Sequence, residues 1–368
     1  MTADVQYNPT ASPHAHDRSS IDRIMLRVCL ALTPVSLWGF YCFGWPALVL
    51  FFTTCLAAIL TELACLYLQQ QPLSRLGDGS ALLTGWLLAL TLPPWAPWWI
   101  GVGGAFFAIT IGKQIYGGIG QNVFNPALLA RIALLISFPV QLTTWVNVMP
   151  IDSANAPGLA DAFGIIFAGH PWMSDAADGI TGATWLGASK AAAAGGADLE
   201  AMLSQNFSLY DAFFGFTRGS LGETSELLVL LGGLWLLITR TISWHIPVSM
   251  LGSLAFLAWL GQLSNPQAYA GALFHLTSGG VMIGAFFYAT DYVTSPSTPV
   301  GKLIFGAGCG VLLFAIRSWG GFPEAVAFSI LLMNALAPLI DRVTKPRAYG
   351  RRRSGDAIKH VPAQRKVV

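Results

Sequence analysis

The segment 178–184 reads Asp-Gly-Ile-Thr-Gly-Ala-Thr and places two threonine hydroxyls beside small residues. A hydroxyl flanked by glycine and alanine on a loop is open to a modifying enzyme, because little side-chain bulk surrounds it. The spacing matches Asp-x-x-[Ser/Thr]-Gly-Ala-Thr, the acceptor pattern on which a flavin transferase esterifies the phosphate of FMN to the last threonine. Background residue usage should produce it in a chain this long on the order of one time in a thousand. The pattern therefore predicts FMN on Thr184, within a motif completed by Asp178, Thr181, Gly182 and Ala183. An ordinary turn is the alternative.

The composition of the chain places this motif in a membrane protein. Of 368 residues, 54% are hydrophobic and only 10% are charged, against ~25% charged in soluble domains. The net charge of +2 gives no indication of nucleic-acid binding, because the positive residues cluster at helix ends and in the C-terminal tail. The five cysteines lie in or beside apolar segments without metal-ligand spacing, which favours buried, inert thiols. We therefore expect an all-α polytopic protein embedded in a lipid bilayer.

Apolar segments recur at lengths near those needed to cross a bilayer as helix. Ten spans are predicted, at residues 24–43, 46–68, 79–92, 98–111, 126–139, 225–238, 247–263, 270–289, 300–316 and 323–340. Several are short and begin or end with glycine or proline. Such interrupted helices require protein or a cavity to satisfy the freed backbone groups.

Lysine and arginine near the helix ends set the orientation. They fall on one side in this topology, from Arg23 and Arg75 to Lys302 and the basic tail, so that side is predicted to be cytoplasmic. The long polar segment 140–223 falls on the other side and carries more acidic than basic residues. Thr184 is therefore expected outside the cytoplasm, on the periplasmic side of a bacterial inner membrane.

Two blocks of sequence are similar, in the same order, in the two halves of the chain, which favours duplication over the alternative of chance similarity among apolar, glycine-rich helices. Residues 85–91 align with 284–290, and residues 116–119 align with 319–322, at offsets of 199 and 203 residues. Five spans per half is an odd number, so duplicated halves would be inverted about an axis in the membrane plane. The predicted divisions are a cytoplasmic tail, a five-helix repeat, the periplasmic insert, a second five-helix repeat and a basic tail, at 1–22, 23–139, 140–223, 224–341 and 342–368.

Polar residues inside apolar spans are candidates for ion movement or for structural pairing. A charge at bilayer depth costs ~2.5–3.5 kcal/mol on lenient scales, so Glu62 and Arg131 should have partners or water. Asn334 is a third such group, and His275 is expected to be hydrogen-bonded rather than a ligand. An ion-pathway role and a structural role remain open for both Glu62 and Arg131.

Two further groups of residues lie at the edges of spans. Lys113, Gln114 and Tyr116 favour interfacial anchoring. Asn122 and Asn125 precede a proline-started span, where Asn125 is expected to be a helix N-cap, although both amides suit a flavin or quinone ring. Within the insert, apolar residues between 199 and 214 predict one amphipathic helix lying on the membrane or against another subunit.

The motifs of this chain resemble one known family. They are the segment 178–184, Gly219-Ser-Leu-Gly-Glu-Thr-Ser225, Phe124-Asn-Pro-Ala127 and Ala289-Thr-Asp-Tyr-Val-Thr-Ser-Pro296. Together they make the chain similar, over nearly its whole length, to the D subunits of Rnf-type ion-translocating oxidoreductases and the B subunits of the sodium-pumping NADH:quinone reductase. The resemblance implies FMN esterified to Thr184, a multi-subunit inner-membrane complex with subunits A, B, C, E and G, and maturation by a flavin transferase. It also makes Asn122 and Asn125 candidates for a second, non-covalent riboflavin.

The resemblance implies a subunit that carries electrons through FMN and couples their transfer to movement of Na⁺ or H⁺. The chain shows no Gly-x-Gly-x-x-Gly after a strand and no cysteine cluster, so it is not expected to be catalytic alone. A passive channel or secondary transporter is the rival, because an inverted repeat with broken helices suits solute passage equally well. A membrane anchor without a redox role is a third reading.

Overall fold

The computed structural model describes residues 20–169, 184–195 and 198–345, and within those ranges every regular element is helical. The α-helices of the described residues are α1 Ile21–Leu68, α2 Ser80–Thr91, α3 Trp98–Thr110, α4 Pro126–Ser137, α5 Pro139–Thr143, α6 Leu159–Phe163, α7 Trp185–Ala194, α8 Leu199–Asn206, α9 Leu209–Phe214, α10 Glu226–Ile238, α11 His245–Ser264, α12 Ala272–Leu276, α13 Val281–Ile283, α14 Pro299–Trp319 and α15 Val326–Val343. A π-helical turn, Gly284–Tyr288, directly follows α13. Helices therefore lie at all ten of the predicted apolar segments.

The first helix is a hairpin of two helices joined at Gly44, which adopts φ 71° and ψ −160°. The rings of Phe40 and Phe51 have centroids 5.1 Å apart, whereas eleven residues of straight helix would separate them by about 16 Å. The indole of Trp95 donates to the carbonyl oxygen of Phe43 at 3.0 Å and so satisfies a backbone group freed by the turn. The hairpin brings Ile21 and Leu68 to the same end of the helix bundle.

Within the described residues, four helices are long and apolar enough to cross a membrane by length and composition, namely α1, α11, α14 and α15. Four other helices that match predicted spans, α2, α3, α4 and α10, have only 12, 13, 12 and 13 residues. At 1.5 Å per residue they extend about 18–20 Å, less than the ~30 Å hydrocarbon core. Their ends consequently lie among other protein groups, as the polar contacts below show.

The insert packs against one end of the bundle, which we call the insert end. The backbone N–H groups of Met149 and Ile151 donate to the carbonyl oxygens of Cys42 and Tyr41, each at 2.9 Å. The opposite end, which we call the tail end, contains both ends of α1, the start of α2 and the C-terminal end of α15. The single amphipathic helix predicted between 199 and 214 is wrong in detail. The chain forms α8 and α9, because the Ser208 hydroxyl accepts from the Asp211 N–H at 3.2 Å and begins a new helix.

Candidate functional site

Thr184 is the N-cap of α7, a ten-residue helix of the insert. Its Oγ1 accepts a hydrogen bond from the Gly187 N–H at 3.2 Å, while its backbone is extended, with φ −67° and ψ 161°. The other motif residues, Asp178, Thr181, Gly182 and Ala183, lie outside the described residues. An N-terminal helix end presents unpaired N–H groups and a positive dipole, which favour a phosphate at this position. The structure thus places the predicted acceptor hydroxyl where a phosphoester is electrostatically stabilised.

The position of α7 is fixed by contacts with the second half of the chain. The ammonium of Lys190 donates to the carbonyl oxygens of Ile316, Arg317 and Phe322 at 3.4, 3.3 and 3.2 Å. These oxygens lie at the C-terminal end of α14 and in the loop before α15, and that of Ile316 also accepts from the Gly320 N–H at 2.9 Å. On the apolar side, Leu186 packs in a small cluster with Leu199, Ala270 and Phe274. Thr184 is therefore held at a defined place above α14 and α15.

The side chain of Thr184 lines a cavity at the insert end. This cavity encloses about 690 Å³, part of it open to the surface. The cavity has both apolar and charged or polar walls, and it is lined by Arg131, Leu135, Leu142, Thr143, Trp145, Thr184, Trp185, Leu186, Thr217, Arg218, Glu223, Thr277, Ser278, Gly279, Phe322, Pro323 and Glu324. It brings the predicted acceptor together with two arginines and two glutamates that come from three other parts of the chain.

The two glutamates of the cavity have partners other than Arg131. Glu324 lies 3.7 Å from Arg317, whose guanidinium also donates to the carbonyl oxygens of His275 and Ser278 at 2.9 and 2.8 Å. The carboxylate of Glu223 accepts from the Ser220 N–H at 3.4 Å. Burial, and then the nearby charge of Glu324, raise the pKa of Glu223 to about 7. Glu223 is consequently poised to exchange a proton near neutral pH.

Sequence reasoning singled out Arg131 but not Glu223, Glu324 or Arg317. Glu223 belongs to a segment quoted for its resemblance, Gly219–Ser225, yet on sequence grounds it is only one acidic residue of the insert. Glu324 directly follows the proline that starts the tenth predicted span, and Arg317 lies near the end of α14. A charged residue within a few positions of a helix end inside a membrane protein was the available signal.

A second cavity lies at the tail end and encloses about 800 Å³, part of it open to the surface. Asn122 and Asn125 line it together with Ser80, Lys113 and Asp291. The predicted N-cap is confirmed, since Asn125 Oδ1 accepts from the N–H groups of Ala127 and Leu128 at 3.1 and 3.3 Å. The amide of Asn122 donates to the carbonyl oxygen of Phe124 at 3.0 Å. Both predicted amides therefore share one cavity, well apart in the chain from Thr184.

Glu62 has the partner that its depth requires. Its two carboxylate oxygens lie 2.7 and 2.6 Å from the Lys113 ammonium, and Gln114 donates to the same carboxylate at 3.0 Å. Interfacial anchoring is therefore wrong for Lys113 and Gln114, which are 3% and 5% exposed because the buried carboxylate draws them inward. Tyr116, 42% exposed, fits that prediction.

The remaining polar groups of the spans also have defined surroundings. Oriented by its hydrogen bonds, the Asn334 amide donates to the carbonyl oxygen of Thr294 at 3.3 Å and accepts from the Asn125 N–H at 3.2 Å. His275 is 6% exposed, and its Nδ1 has no partner among the described residues, so the expected side-chain hydrogen bond is absent at that nitrogen.

Fold and site together define a polytopic helical membrane protein with a threonine hydroxyl opening into a charged cavity at one end of the bundle. The chain belongs to the NQR2, RnfD, RnfE family, which it matches over residues 8–350. It is 60% identical over 338 residues to the D subunit of the ion-translocating oxidoreductase complex of Stutzerimonas stutzeri, covering 92% of this chain and 94% of that protein. The proteins of the same name from Halorhodospira halophila and Escherichia coli are 47% and 44% identical, over 94% and 93% of this chain and 96% and 98% of theirs. The resemblance noted from the motifs is confirmed.

Proposed function

We propose that the chain is a membrane subunit of an ion-translocating oxidoreductase complex and carries electrons through FMN esterified to Thr184. The observation that carries the proposal is the Thr184 hydroxyl at the N-terminus of α7, opening into a cavity of about 690 Å³. The N–H groups at the start of α7 would hold the phosphate. A bound flavin would supply the redox chemistry, while the chain positions it and shields it from water. The family and the names of its members support this assignment.

The chain acts as one subunit of a translocase rather than as an enzyme by itself. The described residues contain no group of three or more histidine, cysteine or acidic side chains able to hold a metal. Electrons would therefore come from partner subunits, which we take to be A, B, C, E and G of an Rnf-type complex. A flavin transferase would attach the FMN. The insert and Thr184 would then face the periplasm of a bacterial inner membrane.

We infer that the two membrane halves are inverted five-helix repeats. Arg131 of α4 and Asn334 of α15 lie 203 residues apart, the offset of the aligned segments 116–119 and 319–322. Arg131 lines the cavity that also contains Glu324, just before α15, and the Asn334 amide accepts from the Asn125 N–H, just before α4. The phenol of Tyr288 also donates to the carbonyl oxygen of Leu87 at 2.6 Å, which joins the other aligned pair of segments.

The repeat relation supports two matching cavities, one at each end of the bundle. At the tail end, Lys113 donates to the Ser80 hydroxyl at 2.6 Å. At the insert end, Arg317, which lies 204 residues further along the chain, donates to the Ser278 carbonyl oxygen at 2.8 Å. The tail-end cavity, with Asn122 and Asn125, is then the place for a second, non-covalent riboflavin. Its amides would hydrogen-bond the flavin ring, as the resemblance implies.

Coupling to Na⁺ or H⁺ would follow from charge that appears and disappears in the insert-end cavity. Negative charge on a reduced flavin there would alter the protonation of Glu223 and the pairing of Arg317 with Glu324, at the interface of the two proposed repeats. Arg317 also donates to the carbonyl oxygens of His275 and Ser278, so its pairing with Glu324 lies where α12 and the residues after it meet the end of α14. An electron-dependent charge can therefore bias how those segments pack.

Denaturing gel electrophoresis tests the proposal. The wild-type chain, co-expressed with a flavin transferase, should show in-gel flavin fluorescence. Thr184→Val should abolish it, whereas Thr217→Val, which alters another threonine lining the cavity, should leave it intact. Denaturation releases a non-covalent flavin from the chain, so such a flavin appears in the soluble fraction and not in the protein band. A wild-type band without flavin fluorescence would contradict the proposed electron-carrier function and favour a channel.

A further inference from the structure

Arg131 carries a buried guanidinium whose hydrogen-bonding capacity is not filled by the described residues. It lies near the middle of α4, is 7% exposed, and its Nη1 has no hydrogen-bond partner among the described residues. The ion pairs within 4 Å in the described part of the chain are Lys113–Glu62 and Arg317–Glu324, neither of which includes Arg131. An unpaired charge inside a membrane protein is costly, so a partner of opposite or acceptor character is expected.

The side chain of Arg131 faces the cavity that Thr184 opens into. Leu135, one helical turn further along α4, also lines that cavity, as do Leu142 and Thr143 beyond the end of the helix. Arg131 is six residues from the end of α4 at Ser137, which is about 9 Å of helix. The cavity therefore extends inward from Thr184, near the surface, to Arg131 at depth.

The two carboxylates that line the cavity are not hydrogen-bonded to Arg131. Glu324 pairs with Arg317, and Glu223 accepts the Ser220 N–H. Both act on Arg131 through space, as attraction without a hydrogen bond. A ligand that reaches the inner end of the cavity would therefore supply the hydrogen-bond acceptor that the guanidinium lacks.

We propose that Arg131 binds the pyrimidine end of the flavin ring attached at Thr184 and stabilises the negative charge that the ring acquires on reduction. The inference rests on the proposed flavinylation. A phosphate esterified at the start of α7 anchors one end of the cofactor at the mouth, so its ring is directed inward toward α4. A planar guanidinium with several donors matches the adjacent nitrogen and carbonyl oxygen of the pyrimidine ring. Arg131 itself transfers neither an electron nor a proton.

A redox titration of the covalent flavin in the purified complex tests the proposal. Arg131→Gln should retain in-gel fluorescence, yet lower the ratio of reduced to oxidised flavin at a fixed potential at least tenfold, which is about 30 mV for a two-electron couple. Arg131→Lys should lower the ratio less, because the charge is kept but the fork is lost. Arg218→Gln, an exposed arginine at the same cavity, is the matched control and should leave the ratio unchanged.

A thermal double-mutant cycle with Thr184→Val supplies a second readout that does not depend on electron transfer. In the flavinylated chain Arg131→Gln should lower the unfolding midpoint, because it removes a cofactor contact. In the Thr184→Val background it should raise the midpoint or leave it unchanged, because it removes an uncompensated buried charge. Fluorescent Arg131→Gln with an unchanged ratio, or additive midpoints, would overturn the role of Arg131 alone. A wild-type chain without fluorescence would instead overturn the flavinylation on which it rests.

Discussion

Removing one partner of the buried Glu62–Lys113 pair should destabilise the protein far more than removing both. Glu62 and Lys113 are 2% and 3% exposed, and the ammonium lies 2.7 and 2.6 Å from the two carboxylate oxygens. Ser80 accepts a further hydrogen bond from the ammonium at 2.6 Å and itself donates to Asp78. The pair thus joins the second half of α1, the start of α2 and the segment after α3.

The size of the effect follows from burial. Glu62→Leu leaves the Lys113 ammonium and the Gln114 amide without their carboxylate, although the two residues are only 3% and 5% exposed. Breaking a buried pair in this way costs ~3–5 kcal/mol, whereas replacing both charges with apolar side chains of similar volume is close to neutral. We therefore expect Glu62→Leu to lower the free energy of unfolding by that amount, and the addition of Lys113→Met to recover most of the loss.

The assay is thermal unfolding of the purified protein in detergent, followed by the fluorescence of its 13 tryptophans. Asp341→Asn is the matched control, since Asp341 accepts from the backbone and hydroxyl of Ser297 at a more exposed place on the tail end. Its cost should stay below ~1 kcal/mol. The reasoning is refuted if Glu62→Leu costs no more than this control, or if the double variant loses the sum of the two single losses.

Two further predictions concern the insert end. The pKa of Glu223, raised from 4.5 to about 7, means that the folded protein binds a proton there more tightly than the unfolded chain, so stability should fall as pH rises from about 4.5 to 7. Glu223→Gln should flatten that part of the curve of unfolding midpoint against pH, and parallel curves would contradict the assignment. For topology, a cysteine at exposed Ala191, next to Lys190 but without its carbonyl contacts, should react with an impermeant thiol reagent in intact spheroplasts; reaction only after lysis would reverse the proposed orientation.

Local patterns in the sequence were sufficient to locate the helices and one of their caps. Apolar segments bounded by glycine and proline predicted the spans, and the Asn-Pro at the start of α4 predicted the cap that Asn125 forms. These features depend on residues within a few positions of one another, so no knowledge of the fold was needed. The same locality explains the error at Ser208, since an apolar periodicity continued across a residue that starts a new helix.

Interactions between distant segments could not be read from the chain. Lys113 lies 51 residues from Glu62, and nothing near it in the sequence distinguishes a buried pair from an interfacial lysine. Only the packing of α1 against the segment after α3 buries it. The hairpin at Gly44, which returns the chain on itself, is what brings that carboxylate to the tail end.

At the Thr184 site too, some features are determined by the sequence and others by the tertiary structure. The sequence by itself determined that a hydroxyl in an acceptor pattern lies in a polar insert between two apolar halves. Tertiary structure decided that this hydroxyl opens into a cavity whose inner end holds Arg131, with Glu223 and Glu324 beside it. A motif is recognised by residues in sequence order, whereas the charges around Thr184 come from distant segments that meet only when apolar surfaces pack together.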